Sequence, residues 1–268
     1  MKFERQVPGG LLWHYTNAQG FYGITTQKEL WATHVEYLND RTEGVHAAVL
    51  LEALLKRVFP TQAAARAALT GRRADAFVFA MSERGDRLDN WRVYANGGRG
   101  YALGFGRKSV AKVPNAILQQ CEYIDPALPL ESQDFAIRAA IDARADVWAL
   151  ISESGDKADP RRVERQVRSW VDAAVSKLGP ALKHIAFAEE REHRLVYSGS
   201  HVGLRLRVSP TDRLVPYVPL QFESEMLLTV CLGPGMTVAD ERATRLHLEA
   251  NGYSDVEVIA SNVPLQAI

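Results

Sequence analysis

Two short stretches of this 268-residue chain carry side chains that can do chemistry together. The first is His14-Tyr15-Thr16, which closes the apolar and aromatic run Leu11-Leu12-Trp13. The second is Glu189-Glu190-Arg191-Glu192-His193-Arg194, which leads into Leu195-Val196-Tyr197. An imidazole can donate or accept a hydrogen bond, and a fixed carboxylate can accept hydrogen bonds or hold a cation. In an extended strand side chains alternate, so Glu190 and Glu192 are expected on one side with Arg194 in line behind them to hold one carboxylate. Each stretch also has a plain structural reading: a core-lining histidine beside an aromatic, and a solvated loop end. Glu223-Ser224-Glu225 repeats the acidic spacing ahead of Met226 to Leu232 and reads as a surface turn.

Other chemistries find no support in the spacing. Gly97, Gly98, Gly100, Gly104 and Gly106 do not form a dinucleotide fingerprint between a strand and a helix. Gly104-Phe105-Gly106-Arg107-Lys108-Ser109 ends like a phosphate loop, yet Tyr101 stands where its first glycine belongs. No Gly-x-Ser-x-Gly elbow occurs, and the seven histidines offer no pair at metalloprotease spacing, so no metal is expected. Cys121 and Cys231 stand far apart, which excludes a disulfide framework and suits a reducing compartment.

Positioning these residues requires strands at both ends of the chain. Strands are expected at Leu11 to Tyr15, Leu30 to Thr33, Ala76 to Met81 and Tyr101 to Phe105, and again at Leu195 to Tyr197, Leu204 to Val208, Met226 to Leu232 and Val256 to Ile259. Asn17 caps a short helix to about Thr26, and Ala239 to Ala250 reads as another. Helical periodicity also marks Thr42 to Lys56, Thr61 to Leu69, Phe135 to Ile151 and Arg162 to Leu178. Asp86 to Gly100 reads as a polar, glycine-rich loop whose Trp91 and Tyr94 serve either as packing plugs or as stacking faces. The expectation is one α/β (α+β) domain over residues 1–268, with a helical insertion at about 134–179.

Composition sets the outer bounds. Lys plus Arg number 32, as do Asp plus Glu, so general attraction to phosphate backbones or anionic membranes is weak. No window approaches the roughly 18 apolar residues of a spanning helix, and the N-terminus carries no signal-like core. A cytoplasmic protein with no membrane partner is expected.

The ordered succession Leu12-Trp13-His14-Tyr15-Thr16, Leu30-Trp31-Ala32-Thr33, Tyr37-Leu38-Asn39-Asp40 with Glu43 resembles a broad bacterial family known only as a domain of unknown function. Phe79-Ala80-Met81-Ser82-Glu83, Trp91, Tyr94, Gly100 to Phe105, Glu190-Arg191-Glu192-His193-Arg194-Leu195, Leu232-Gly233-Pro234-Gly235 and Ser261 continue the likeness. His193 departs from it, standing where that family usually has tryptophan. The family is similar to the ADP-ribosyltransferase superfamily. The resemblance implies a split, mostly antiparallel sheet with inserted helices, and NAD as substrate. It implies that Glu192 contacts the nicotinamide ribose and Glu190 engages the acceptor, as the catalytic pair. It also implies that His14 contacts the adenosine ribose, with Tyr15, Thr16, Ser82, Trp91, Tyr94 and Arg194 lining the NAD site.

The function implied is NAD-dependent ADP-ribosyl transfer to an intracellular macromolecule, protein or nucleic acid. A toxin or anti-phage effector with an antitoxin or immunity protein as partner would be such an enzyme. Two further readings stand beside it: NAD glycohydrolysis, and a non-catalytic module binding a nucleotide or protein on the same fold. Arg72, Arg73, Arg84, Arg87, Arg92 and Arg99 flank the suspected cleft loop and form either a phosphate-attracting groove or a solvated face.

Overall fold

The computed structural model describes residues 10–38, 75–125, 127–128, 165, 169, 179–199, 203–209 and 212–264. The chain divides into two compact units, each assembled from separated segments. One comprises Met1–Thr33, Phe77–Gln120 and Glu189–Ile268, and the other His34–Ala76 and Cys121–Ala188. The expected helices at Thr42 to Lys56, Thr61 to Leu69 and Phe135 to Ile151 lie outside the described residues. Of the expected insertion at 134–179, Arg165, Ser169 and Gly179 are described, the first two as helix. In the second unit, β6 (Glu122–Ile124) pairs in parallel with β7 (Leu182–His184).

The first unit is built on a ten-stranded sheet. Its stem is β3 (Phe77–Ser82), a run of Phe, Val and Met that packs on both faces. One edge of β3 is filled along its whole length by β8 (Glu192–Tyr197), from Phe77 opposite Tyr197 to Ser82 opposite Glu192. Beyond β8 lies β5 (Ile117–Gln120). Both β1 (Leu11–Thr16) and β2 (Glu29–His34) must therefore share the other edge of β3, and they do so by diverging. One branch continues from β1 through β4 (Tyr101–Gly106) and β11 (Leu227–Leu232) to β12 (Glu257–Ala260). The other continues from β2 through β10 (Leu214–Gln221) to β9 (Arg205–Val208). Within the two branches the pairings are antiparallel except β11 with β12, which a crossover helix, α4 (Val238–Ala250), connects in parallel. The architecture is a mixed α/β fold on a largely antiparallel, divided sheet.

Local chemistry sets the helices. Asn17 Oδ1 accepts from the Gly20 N–H at 2.8 Å and starts α1 (Ala18–Gln27), which Lys28 ends in the left-handed conformation. Thr237 and Asp240 form a reciprocal capping box at the start of α4. The expected loop Asp86 to Gly100 instead contains α2 (Leu88–Tyr94), because the glycines begin only at Gly97 and Trp91 supplies a buried anchor. The short α3 (Arg107–Val110) follows β4 directly. β10 escapes a sequence reading because Pro216 and Pro219 interrupt it, and proline argues against a paired strand.

Alternation divides the β1 side chains. Leu12 joins the main core with Phe21, Phe79, Leu103, Phe105 and Leu195, whereas Trp13 and Tyr15 pack with Trp91, Ala102 and Cys231. Gly104 leaves room for the Trp13 ring, which a side chain there would meet.

Candidate functional site

The acidic doublet is not one extended strand. Ile185–Glu190 forms 3-10 turns, Arg191 adopts a left-handed φ of 43°, and β8 begins only at Glu192. The left-handed residue breaks the alternation that would have aligned the two carboxylates, and it gives them different surroundings. Glu192 is 5% exposed and Arg194 1% exposed. Arg194 Nε donates to Glu192 Oε1 at 2.6 Å and Nη2 to Oε2 at 3.1 Å, a two-pronged buried ion pair. The Glu192 carboxylate, expected at the nicotinamide ribose, is bonded to a guanidinium inside the fold.

Glu190 lies nearer the surface, half-buried. Tyr94 Oη, at the end of α2, donates to Glu190 Oε1 at 2.8 Å. Ser82 Oγ donates to the Glu190 carbonyl at 2.6 Å and accepts from the Arg84 N–H at 3.0 Å, so it ties the end of β3 to the turn that carries the carboxylate. Tyr15 Oη donates to the Arg84 carbonyl at 3.1 Å and accepts from the Arg87 N–H at 3.1 Å. Burial pushes the Tyr15 phenol well up, so it remains protonated for both bonds. Arg84 Nη1 meets Glu189 Oε2 at 2.6 Å, and Arg87 lies 3.9 Å from the same oxygen.

Asp86 holds this loop in place, a role that sequence reasoning missed. It accepts from Trp91 Nε1 at 2.8 Å, from the Asn262 N–H at 2.9 Å and from the Ser261 hydroxyl. Ser261 had appeared only as an isolated point of family likeness, and Asp86 is its partner. Trp91 is fully buried, edge-on to Tyr15 at 5.0 Å between ring centroids. Both rings, expected as faces against a nucleotide, are buried and packed against each other. Thr16 is half-buried beside Gly20, where an added Cβ would fall on its hydroxyl.

His14 belongs to the other face. Trp13 is opposite Ser82, and Ser82 opposite Glu192, so these three side chains project alike. His14, one residue on from Trp13, projects the other way and stacks on Phe79 at 4.1 Å between ring centroids. Its Nδ1 bonds the Ala80 carbonyl at 2.8 Å, on the β3 edge that β1 and β2 share. Burial pushes the imidazole down to about 4. The strand register thus brings Tyr15, Ser82, Trp91, Tyr94 and Glu190 together by way of their bonds, with the Glu192–Arg194 pair on the same face, and leaves His14 apart.

The face of His14 carries groups of its own. At the end of β3, Glu83 Oε1 accepts from Arg107 Nη1 at 3.1 Å, and Arg107 Nη2 donates to Nε2 of the fully buried His193. The departure at His193 thus places an imidazole within an ionic cluster, and burial together with the Arg107 charge lowers its pKa. On the β2 branch, Arg207 Nη2 donates to Thr33 Oγ1 at 2.9 Å and its guanidinium lies 5.8 Å from the centre of the Trp31 ring. An alternating Leu-Arg-Leu-Arg strand reads as a solvated edge, so no sequence signal singled out Arg207. Among the described residues no group of three or more His, Cys, Asp or Glu side chains could hold a metal ion. Among the same residues no helix is long and apolar enough to cross a membrane.

Comparison with known proteins gives one partial likeness. Residues 90–195 match the family model described as "Protein of unknown function (DUF2971)". That stretch runs from Asn90 in α2 to Leu195 in β8 and takes in Tyr94, Glu190, Glu192 and Arg194. No curated protein matches, and no solved structure matches.

Proposed function

We propose that the first unit catalyses transfer of ADP-ribose from NAD to an intracellular macromolecule, with Glu190 as the carboxylate that serves the ribose. The observation that carries this reading is the contrast within the doublet. Glu192 is locked to Arg194, while Glu190 is half-buried, oriented by Tyr94 and anchored through its own backbone by Ser82. Cleavage of the nicotinamide–ribose bond sends its electron pair to nicotinamide and leaves positive charge at the anomeric carbon. A carboxylate held against the 2′-hydroxyl favours that state over the ground state. The acceptor then forms the new bond to the anomeric carbon, and water in its place gives hydrolysis instead. The divided antiparallel sheet and the family likeness over residues 90–195 support the reading.

A second reading is a module that binds a nucleotide or protein without turnover, favoured by the absence of His14 from the Glu190 side of the sheet. One experiment separates the two. The protein is incubated with NAD labelled in its adenosine half and with bacterial lysate, and release of nicotinamide and transfer of label are followed together. On the transferase reading Glu190→Gln lowers turnover by about 100- to 1,000-fold while the fold is retained. Turnover unchanged in Glu190→Gln removes Glu190 from the chemistry. No turnover by the unaltered protein leaves the binding reading.

A further inference from the structure

On the β2 branch, Arg207 lies beside the Trp31 and Thr33 side chains. Its Nε and the Trp31 Nε1 are both buried and make no hydrogen bond. Its neighbour on β9 shows the ordinary alternative: Arg205 Nη1 pairs with Glu29 Oε2 at 2.9 Å. Among the described residues no carboxylate pairs with Arg207, and burial lowers its pKa. Thr33 Oγ1 accepts from Arg207, which leaves the hydroxyl hydrogen to donate elsewhere.

We propose that Arg207, Trp31 and Thr33 form a seat for the phosphate group of a phosphorylated ligand. Two buried N–H groups and a hydroxyl await an acceptor, and a guanidinium supplies the charge. A phosphate meets them with three or four oxygens, where a carboxylate has two. The guanidinium fork matches two of those oxygens at once. The packing of Trp31 keeps the seat in shape: its ring lies against Gly23 of α1, where any added Cβ would strike it. This inference does not rest on the NAD reading, since it uses neither Glu190 nor the chemistry assigned to it.

The test is calorimetric titration of the full chain with inorganic pyrophosphate, with sodium acetate as the control anion. Saturable binding is expected for the unaltered protein, weakened at least about tenfold in Arg207→Gln and about threefold in Trp31→Phe, which keeps an aromatic ring but lacks the N–H. Arg207→Lys retains the charge without the fork and is expected to lose about tenfold, which keeps the test decisive should the glutamine variant misfold. Glu190→Gln is expected to bind pyrophosphate like the unaltered protein, so loss of the transferase reading leaves this one standing. No saturable binding, affinity unchanged in folded Arg207→Gln, or acetate bound as tightly as pyrophosphate would each overturn the phosphate seat.

Discussion

Removing the Glu192 carboxylate takes a two-pronged partner from the Arg194 guanidinium, which is 1% exposed. Breaking such a buried pair costs about 3–5 kcal/mol, whereas replacing both partners by apolar groups of similar size is far less damaging. Urea unfolding should therefore show a large loss for Glu192→Ala and a smaller one for the double variant Glu192→Met with Arg194→Met. Equal losses would mean that the pair is not the source of the stability. His14 offers a second check at this scale. Its folded pKa is about 4 against an ordinary 6.5, so the unfolded chain binds the proton more tightly. The stability held by the neutral ring is complete above about pH 6.5. It declines as pH falls and levels off below about 4, a total on the order of 3 kcal/mol. Titration followed by NMR should place the His14 transition near 4, and a midpoint near 6.5 would contradict its burial. The residue types of the site were legible in the sequence, but their partners were not. Arg194 beside the doublet showed that one acid would be held; the left-handed Arg191 decides which one, and a backbone angle leaves no trace in side-chain spacing.

Periodic apolar runs made most elements of the first unit readable: β1, β2, β3, β4, α1, α4 and β11 lie within a residue or two of where the sequence places them. The misses have physical causes. The prolines of β10 hid a strand, and α2 was obscured by the glycines that follow it. Leu232-Gly233-Pro234-Gly235 was visible as a motif without a reason, and backbone contact supplies one. Gly233 N–H donates to the Gly100 carbonyl and Gly235 N–H to the Gly98 carbonyl, both at 2.9 Å. A Cβ on Gly233 would run into the Gly98 and Gly100 carbonyl oxygens, which cannot move as a flexible side chain can. Gly233→Ala should therefore lower stability by about 1–3 kcal/mol. Thermal unfolding measures this, and a melting temperature unchanged from the unaltered protein would show that the two turns separate without cost.

Charge is balanced over the whole chain, with 32 basic and 32 acidic residues. Of the arginines that flank the Asp86 to Gly100 segment, Arg84 and Arg87 both turn toward Glu189. Affinity for duplex DNA of arbitrary sequence should be weaker than about 10 μM at about 0.15 M salt. Fluorescence anisotropy measures it, and tight binding that falls steeply with added salt would restore the groove. The three-segment make-up of the first unit has one more implication, for synthesis on the ribosome. Trp31 of β2 lies opposite Pro219 of β10, so 188 positions of chain separate the two partners. At roughly 5–20 residues per second, that edge of the newborn chain waits about 10–40 s for its neighbour. Throughout that interval its backbone donors and acceptors are open to any passing strand, and a transcript that stops before codon 214 never closes them.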